Sequence, residues 1–277
     1  MGLKEYQKYI KLLSENKTNI PQELFNDKTF VELALYYIPE EVVMPLISSE
    51  LKKDEQFILF MIKGNADAFK YFDESIRDQK ELMLKAVRVN GLAFKHSSDR
   101  LKNDKEVALE AVKYNGRAYF YASNSLQKDK EVILAAIKDA PIVIRDIPEA
   151  LFNDKQFVIE LFKIAPLLYE EEGMKKYLND KDILLTVLSS KSPFDLMFLP
   201  EKFKDDKDVM KAVIMNNNRY EPSTIINKVA SKRLQNDPEL MLEVFAKEDR
   251  IGYRKLKSID FDEDKEDNSN LMGGDFD

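Results

Sequence analysis

The chain has 277 residues, of which 44% are apolar and 34% are charged, a composition typical of a globular protein. It contains no run of 18 or more apolar residues and no apolar signal-peptide core at its start, so we expect neither a membrane span nor a classical secretion signal. It contains no cysteine, which excludes disulfides, thiolate metal sites and a cysteine nucleophile. We therefore expect a cytoplasmic protein, and secretion as an effector without a classical signal stays open.

The net charge of −7 lies entirely in the C-terminal tail. Residues 258–277 contain eight acidic residues and one lysine, whereas residues 1–257 contain 42 acidic and 42 basic residues. A neutral body argues against the strong positive field of a dedicated nucleic-acid binder. The tail is acidic and poor in aliphatic residues, so we expect it to be disordered.

The first predicted element is an amphipathic helix over residues 3–14, with Leu3, Tyr6, Ile10 and Leu13 on its apolar face. We expect this helix, within an N-terminal capping segment of residues 1–20, to cover the first face of a helical stack. Terminal repeats of such stacks need a polar outer side, which an amphipathic helix provides.

A repeat follows over residues 21–257. Each unit begins at an acidic or polar anchor residue, which is usually followed by lysine and an acidic residue and then by a helical apolar pattern. The anchors recur at a steady spacing and are Asp27, Asp54, Gln79, Asp104, Asp129, Asp154, Asp180, Asp206 and Asp237. Units of this size cannot bury their own apolar faces and must stack on their neighbours. The pattern predicts an all-α fold, an α-solenoid of about nine two-helix repeats with a period near 25 residues.

The unit from Asp104 to Asp129 illustrates the two helices of one repeat. Asp104 is predicted to cap a first helix whose broad apolar face is sandwiched between neighbouring repeats. Asn115-Gly116 is predicted to end this helix in the left-handed conformation. In later repeats Pro141 and Pro166 stand at the same place and are predicted to begin the next helix.

The second helix of this unit is predicted to run from about Arg117 to Leu126. Four of its residues lie at helical spacing and are expected to point inward. They are Ala118, Tyr119, Ala122 and Leu126. Residues at the neighbouring positions have no structural explanation of this kind.

The segments GLAFKHSSDRLKNDKEVALEAV and GRAYFYASNSLQKDKEVILAAI resemble the repeats of a family called domain of unknown function 4116. In that family a helix of the pattern D-E-V-x-x-A-V alternates with N-G-x-A-L-x-x-A-S-x-x-L. The resemblance covers roughly residues 54–151. It implies an all-α repeat that often occurs inside larger proteins, including some bacterial effectors, and it implies no catalytic residue.

A possible binding surface follows from two adjacent positions of the repeat, those of Phe120 and Tyr121 in the unit that begins at Asp104, together with Arg117. Equivalent positions of stacked repeats line up along one surface, so these residues are expected to form a basic and aromatic row. The row comprises Lys70, Tyr71, Lys95, His96, Arg117, Phe120, Tyr121 and Arg145. The alternative interpretation is that these long side chains only cover their own helices while their charges stay in water.

These patterns predict a non-catalytic scaffold that binds a protein partner. The acidic tail, which ends in Asp275, Phe276 and Asp277, is a candidate interaction peptide. The alternative function is single-stranded nucleic-acid binding along the row, as in helical repeats that contact one base per unit. No cofactor or metal is expected, because phosphate-binding glycine loops and zinc motifs are missing from the sequence. An enzyme would need a site in the irregular region of residues 190–225.

Overall fold

The computed structural model describes residues 2–15, 19–190, 192 and 194–251, and these residues form helices and no strand. The predicted all-α class is therefore confirmed. The chain divides into two compact units, Met1–Asn153 and Asp154–Asp277. None of the described helices is long and apolar enough to cross a membrane. The acidic tail of residues 258–277 lies outside the described residues.

The first unit alternates α-helices with short 3-10 helices. Its α-helices are α1 Leu3–Ser14, α2 Lys28–Tyr37, α3 Glu40–Val43, α4 Glu55–Gly64, α5 Glu74–Arg77, α6 Lys80–Val89, α7 Asp99–Lys102, α8 Lys105–Tyr114 and α9 Lys130–Ile137. Its 3-10 helices are Gln22–Asn26, Leu51–Lys53, Ala66–Tyr71, Gly91–His96, Gly116–Tyr121, Leu126–Lys128, Pro141–Asp146 and Glu149–Asn153.

The second unit follows the same alternation. Its α-helices are α10 Lys155–Ile164, α11 Lys181–Leu188, α12 Lys207–Asn216, α13 Pro222–Val229 and α14 Lys232–Gln235, and residues 238–251 are also helical. Its 3-10 helices are Pro166–Glu170, Lys175–Asn179, Leu196–Phe198 and Glu201–Phe203.

The opening helix has the predicted bounds. It buries Tyr6, Ile10 and Leu13 and packs against α2, which confirms the amphipathic pattern. The Tyr6 hydroxyl donates a hydrogen bond of 2.5 Å to the carboxylate of Asp27, the first anchor. Leu3 is 61% exposed, so its placement on the buried face was wrong.

The anchor residues cap the α-helices, as predicted for Asp104. Its carboxylate accepts hydrogen bonds from the backbone N–H groups of Glu106 at 3.0 Å and Val107 at 3.3 Å, which otherwise have no partner in the first turn. Gln79 makes no capping bond with its side chain. The other anchors that cap in this way are Asp27, Asp54, Asp129, Asp154, Asp180, Asp206 and Asp237.

The first helix of the repeat is sandwiched, as the width of its apolar face predicted. Helix α8 contacts α6 on one side and α9 on the other, and its side chains Val107, Ala108, Ala111 and Val112 are completely buried. In the second unit α11 contacts α10 and α12 in the same way. The core of each unit therefore lies between successive first helices and the 3-10 helices that follow them.

In the unit from Asp104 to Asp129 the second helix is not an α-helix, so that prediction was wrong. A 3-10 helix runs over Gly116–Tyr121, the chain is extended at Ala122, and a second 3-10 helix spans Leu126–Lys128. The break occurs because the Ser123 backbone N–H donates to the carbonyl of Lys102 in the preceding repeat at 2.9 Å. The four side chains predicted to point inward are nevertheless buried.

Asn115-Gly116 does not adopt the left-handed conformation, which corrects the prediction for this pair. Asn115 is extended, with φ of −155° and ψ of 108°, and its side chain accepts a hydrogen bond of 3.0 Å from the Arg117 N–H. A Cβ on Gly116 would lie 2.8 Å from the Cβ of Ala140 and closer still to the carbonyl oxygen of Ala136. Glycine is needed here because the next repeat approaches closely.

Proline takes the place of this glycine in the following repeats. Pro141 and Pro166 are the first residues of 3-10 helices, which confirms the prediction that they begin the next helix. A proline is suited to a first helical position because its missing N–H would have no partner there.

The lysine after the anchor links one repeat to the next. The Lys105 Nζ lies 2.8 Å from the carboxylate of Asp129, the next anchor, and 2.8 Å from that of Glu131. This contact explains the Asp-Lys-acid pattern, since the aspartate caps its own helix and the lysine bridges to the following one. The same double bridge is made by Lys80, Lys155, Lys181 and Lys207.

A serine provides a second link between neighbouring repeats. The Ser123 Oγ donates to the Asn103 side chain at 2.6 Å and accepts a hydrogen bond of 3.4 Å from the Leu126 N–H. Because Asn103 immediately precedes the anchor Asp104, this bond fixes the register of the two repeats. Equivalent bonds to the residue before the anchor are made by Ser48, Ser98 and Ser231.

Candidate functional site

The predicted basic and aromatic row lies on four 3-10 helices of the first unit. Most of its residues occupy the last two positions of these helices, and Arg117 is near the start of its own. A 3-10 helix has three residues per turn, so side chains three apart are eclipsed. Arg117 and Phe120 therefore lie along one edge, and both are exposed, Phe120 to 38%.

Asp67 neutralises part of the row. Its Oδ1 lies 2.9 Å from the Lys95 Nζ and 2.6 Å from the His96 Nε2. The hydrogen bonds from His96 and Lys95 lower the pKa of Asp67 from 3.8 to about 2. Only 15% of the His96 side chain is exposed, so this member of the row presents little surface to a partner.

Sequence reasoning missed Asp67 because it belongs to the repeat before that of Lys95 and is distant from it along the chain. The two residues meet only through the register of adjacent repeats. Asp67 lies one 3-10 turn before Lys70 in the helix Ala66–Tyr71. This position, one 3-10 turn before a residue of the row, was the sequence signal that could have identified Asp67.

Two aromatic residues of the row also have partners on the protein. The Lys70 Nζ lies 4.7 Å from the centre of the Tyr71 ring, and the Lys95 Nζ lies 5.9 Å from that of Tyr121. The backbone N–H of Glu41 and the hydroxyl of Tyr71 lower the pKa of Glu41. The structure thus brings Lys70, Tyr71, Lys95 and Tyr121 into contacts within the unit.

The remaining predicted site residues fall into two groups. Arg145 is exposed near the end of the helix Pro141–Asp146. The tail motif Asp275, Phe276 and Asp277 lies outside the described residues, so it stays a prediction.

A groove between α2 and α4 is a candidate site that sequence reasoning missed. It has a volume of about 530 Å³ and is bordered mainly by apolar surface. Its lining residues are Glu32, Leu35, Tyr36, Glu40, Phe60, Met61, Lys63, Gly64 and Asn65. We call this feature the α2–α4 groove.

Large side chains of the α2–α4 groove face solvent. Tyr36 is 80% exposed and Phe60 is 44% exposed, and the neighbouring Tyr37, whose ring lies 4.9 Å from that of Tyr36, is 61% exposed. Gly64 also lines the groove, and a Cβ at this position would stand in open space with no atom within 4 Å. Exposed aromatic residues that cluster in one concave surface are typical of interaction sites.

The matching groove between α8 and α9 has a different character. Its volume is about 690 Å³, and charged residues of both signs dominate its lining, among them Glu106, Glu110, Lys113, Glu131 and Lys138. The ninth residue after the anchor marks the difference: it is tyrosine at Tyr36 but basic in the next four repeats. These basic residues are Lys63, Arg88, Lys113 and Lys138. This change was the sequence signal that could have revealed the α2–α4 groove.

The irregular region of residues 190–225 contains a buried lysine contact. The Nζ of Lys247, a residue only 8% exposed, donates to the carbonyls of Ile214 at 2.6 Å, Met215 at 3.1 Å and Asn217 at 2.7 Å. Burial lowers the pKa of Lys247. The ammonium group of Lys247 donates to carbonyls at the C-terminal end of α12, which is a structural role.

The part of the chain that the structure describes contains no group of three or more His, Asp or Glu residues placed to hold a metal ion. Many of its polar side chains cap helices and link repeats, and two of its exposed aromatic residues, Tyr36 and Phe60, line the α2–α4 groove. These features define an all-helical protein with a candidate interaction surface.

One known protein family has a model that matches part of the chain. Residues 79–127 match the model of the family described as Domain of unknown function (DUF4116), which confirms the resemblance over that stretch. Neither the curated proteins nor the solved structures gave a match to the chain. The family description carries no activity, so a function has to be argued from the surfaces described above.

Proposed function

We propose that this chain is a non-catalytic helical-repeat scaffold that binds a protein partner through the α2–α4 groove. In this proposal the repeats of each unit stack in register as an α-solenoid, and the nine anchors mark the repeats. The packing of α8 between α6 and α9 and the lysine and serine links between repeats support this stacking.

The observation that carries the proposal is the exposure of Tyr36 and Phe60 in one apolar groove. Burying a side chain of this size contributes about 1.5–3 kcal/mol, and tyrosine is enriched among residues that dominate binding energy. A partner that covers both rings would bury apolar area that now faces water. The equivalent groove between α8 and α9 is lined mostly by charged residues and contains no aromatic side chain.

Site-specific photo-cross-linking tests this proposal in the native host. A photoreactive phenylalanine analogue is placed at position 36 of the full chain, and the matched control carries it at position 114. Tyr114 is also an exposed tyrosine at the end of a first helix, 49% exposed, but lies next to the charged groove. The proposal predicts a discrete covalent adduct with a protein from position 36 and none from position 114. Equal adducts from both positions, or none, contradict it.

Single-stranded nucleic-acid binding is the second candidate function. One observation favours it: Arg117 and Phe120 lie exposed along one edge, where a guanidinium fits a phosphate and an aromatic ring fits a base. Asp67 weighs against it, because it holds Lys95 and His96 close to a negative charge. Binding that weakens steeply with salt and is lost in Arg117→Ala would support this function, and no binding at low salt would exclude it.

A further inference from the structure

We infer that the α2–α4 groove accepts an amphipathic helix with basic residues beside its apolar stripe. This inference names the partner chemistry of the proposed site and so rests on the proposed function. Three features of the groove carry it: its shape, the charge around it, and its contrast with the groove between α8 and α9.

The shape of the groove fits a short helix. Its two walls, α2 and α4, each contain ten residues, which corresponds to a length of about 15 Å. A helix of about three turns has this length and presents apolar residues at positions i, i+3, i+4 and i+7 to such a groove. A partner strand would need the open edge of a sheet, and the described residues contain no strand.

The charge around the groove fits a basic partner. Residues 19–64, which supply the groove, contain eight acidic and four basic residues, a net charge of −4, whereas residues 1–257 as a whole are neutral. Glu32 and Glu40 line the groove beside the apolar residues. An acidic segment, such as the tail of a second copy, would meet like charge there.

The two glutamates are only weakly neutralised by the protein itself. The Glu32 carboxylate lies 3.9 Å from the Lys28 Nζ, and the Glu40 carboxylate accepts from the uncharged Asn65 amide at 3.2 Å. Among the lining residues, Lys63 carries the only positive charge. The negative charge of the groove rim is therefore available to cations of a bound helix.

The groove between α8 and α9 provides the contrast. Its lining contains two lysines beside four acidic residues, and residues 104–139, which supply it, have six acidic and six basic residues and so no net charge to attract a basic helix. It also lacks an aromatic lining residue, whereas the α2–α4 groove has Tyr36 and Phe60. The inference therefore predicts that a basic amphipathic helix binds one of these two grooves and not the other.

Three labelled peptide probes of equal length test the inference by fluorescence anisotropy with the full chain. The first has leucine at the apolar positions of three turns and lysine elsewhere. The second replaces every lysine with glutamate, and the third is the lysine peptide with a central proline that prevents a continuous helix. We expect the first peptide to bind at least about tenfold more tightly than the second and the third, with a preference over the second that shrinks as salt is added.

Substitutions in the chain show where the lysine peptide binds. Tyr36→Ala and Phe60→Ala should each weaken binding by about tenfold or more, whereas Tyr114→Ala should leave the affinity unchanged. Glu32→Gln together with Glu40→Gln should weaken binding by about three- to tenfold at low salt. Since Tyr36 is 80% exposed, its truncation removes little packing, and an unchanged thermal midpoint confirms that the variant folds.

The outcomes separate this inference from the proposed function. If position 36 cross-links to a protein but the lysine and glutamate peptides bind equally, or the proline peptide binds as well as the first, the inference is overturned and the proposed function stands. An affinity for the lysine peptide that is unchanged in Tyr36→Ala and Phe60→Ala also overturns the inference. Preferred binding of the lysine peptide that both substitutions abolish supports it.

Discussion

Replacing Gly116 with alanine should destabilise the protein through a clash with the next repeat. The added Cβ would lie 2.8 Å from the Cβ of Ala140 and 2.9 Å from the Ala140 backbone N. Ordinary carbon contacts lie at about 3.5–4.0 Å, so the neighbouring repeat must move by roughly 1 Å. Because backbone atoms form part of the contact, rotation of a side chain cannot relieve it.

The expected cost follows from this geometry. Overpacking a well-packed contact costs about 1–3 kcal/mol, which lowers the melting temperature by about 2–4 °C per kcal/mol for a chain of this size. Gly64→Ala is the matched control, because its Cβ would have no atom within 4 Å. There the smaller chain entropy of unfolded alanine should raise stability by about 0.4–1 kcal/mol.

Urea denaturation of the two variants measures the difference, and a double variant identifies its cause. If Gly116 is needed for close approach, Ala140→Gly removes one of the contacts and should recover part of the loss, with a coupling energy of at least about 0.5 kcal/mol. A left-handed Gly116 would show no such coupling. Equal stabilities of Gly116→Ala and Gly64→Ala, or additive effects of Gly116→Ala and Ala140→Gly, would refute the reasoning.

Two further predictions concern charges that link repeats. Lys105→Met keeps the apolar stem but removes the bridge to Asp129, so it should lower the stability measured by urea denaturation. The loss should be smaller in 1 M salt and larger than that of the control Lys138→Met; an equal effect of the two substitutions would contradict this role. Asp67 has its pKa lowered from 3.8 to about 2, so its contribution to stability is present above about pH 4 and is lost as the pH falls towards 2. Asp67→Asn should therefore have a lower free energy of unfolding than the wild type at pH 7, by less than about 1 kcal/mol for this half-exposed group, and a lower melting temperature. The two melting temperatures should converge near pH 2. A constant difference across this pH range would contradict the assignment.

Much of the fold could be predicted because the period of the repeat is visible in the sequence. A capping aspartate and the apolar pattern after it predicted helices such as α8 and their buried faces, since both signals act within one helix. The inward positions Ala118 and Tyr119 were also predictable. Their burial depends on which face of the helix points inward, and both residues lie on that face whether the helix is an α-helix or a 3-10 helix.

The features that sequence reasoning missed depend on contacts between repeats. The 3-10 geometry after Gly116 arises where Ser123 bonds to the preceding repeat, and the role of Gly116 itself depends on the approach of Ala140. The pairing of Asp67 with Lys95 requires the register of two repeats. A helical pattern written for a single unit contains none of this information.

The α2–α4 groove was missed for a related reason. The first repeat departs from the pattern at Tyr36, whereas the predicted fold depended on the positions at which the repeats agree. The departure itself was the signal for the proposed site, because an exposed tyrosine stands where the next four repeats have lysine or arginine. In a repeat protein, the position that breaks the pattern on the surface is informative about binding.

The most direct test of the account is the affinity of the protein that cross-links to position 36, measured by titration calorimetry against the purified chain. The account predicts that Tyr36→Ala combined with Phe60→Ala weakens this affinity by at least about a hundredfold, in line with the loss of two dominant contacts, whereas Tyr114→Ala leaves it unchanged. An unchanged affinity in the Tyr36 and Phe60 double variant, with its fold intact, would contradict the claim that the α2–α4 groove is the binding site.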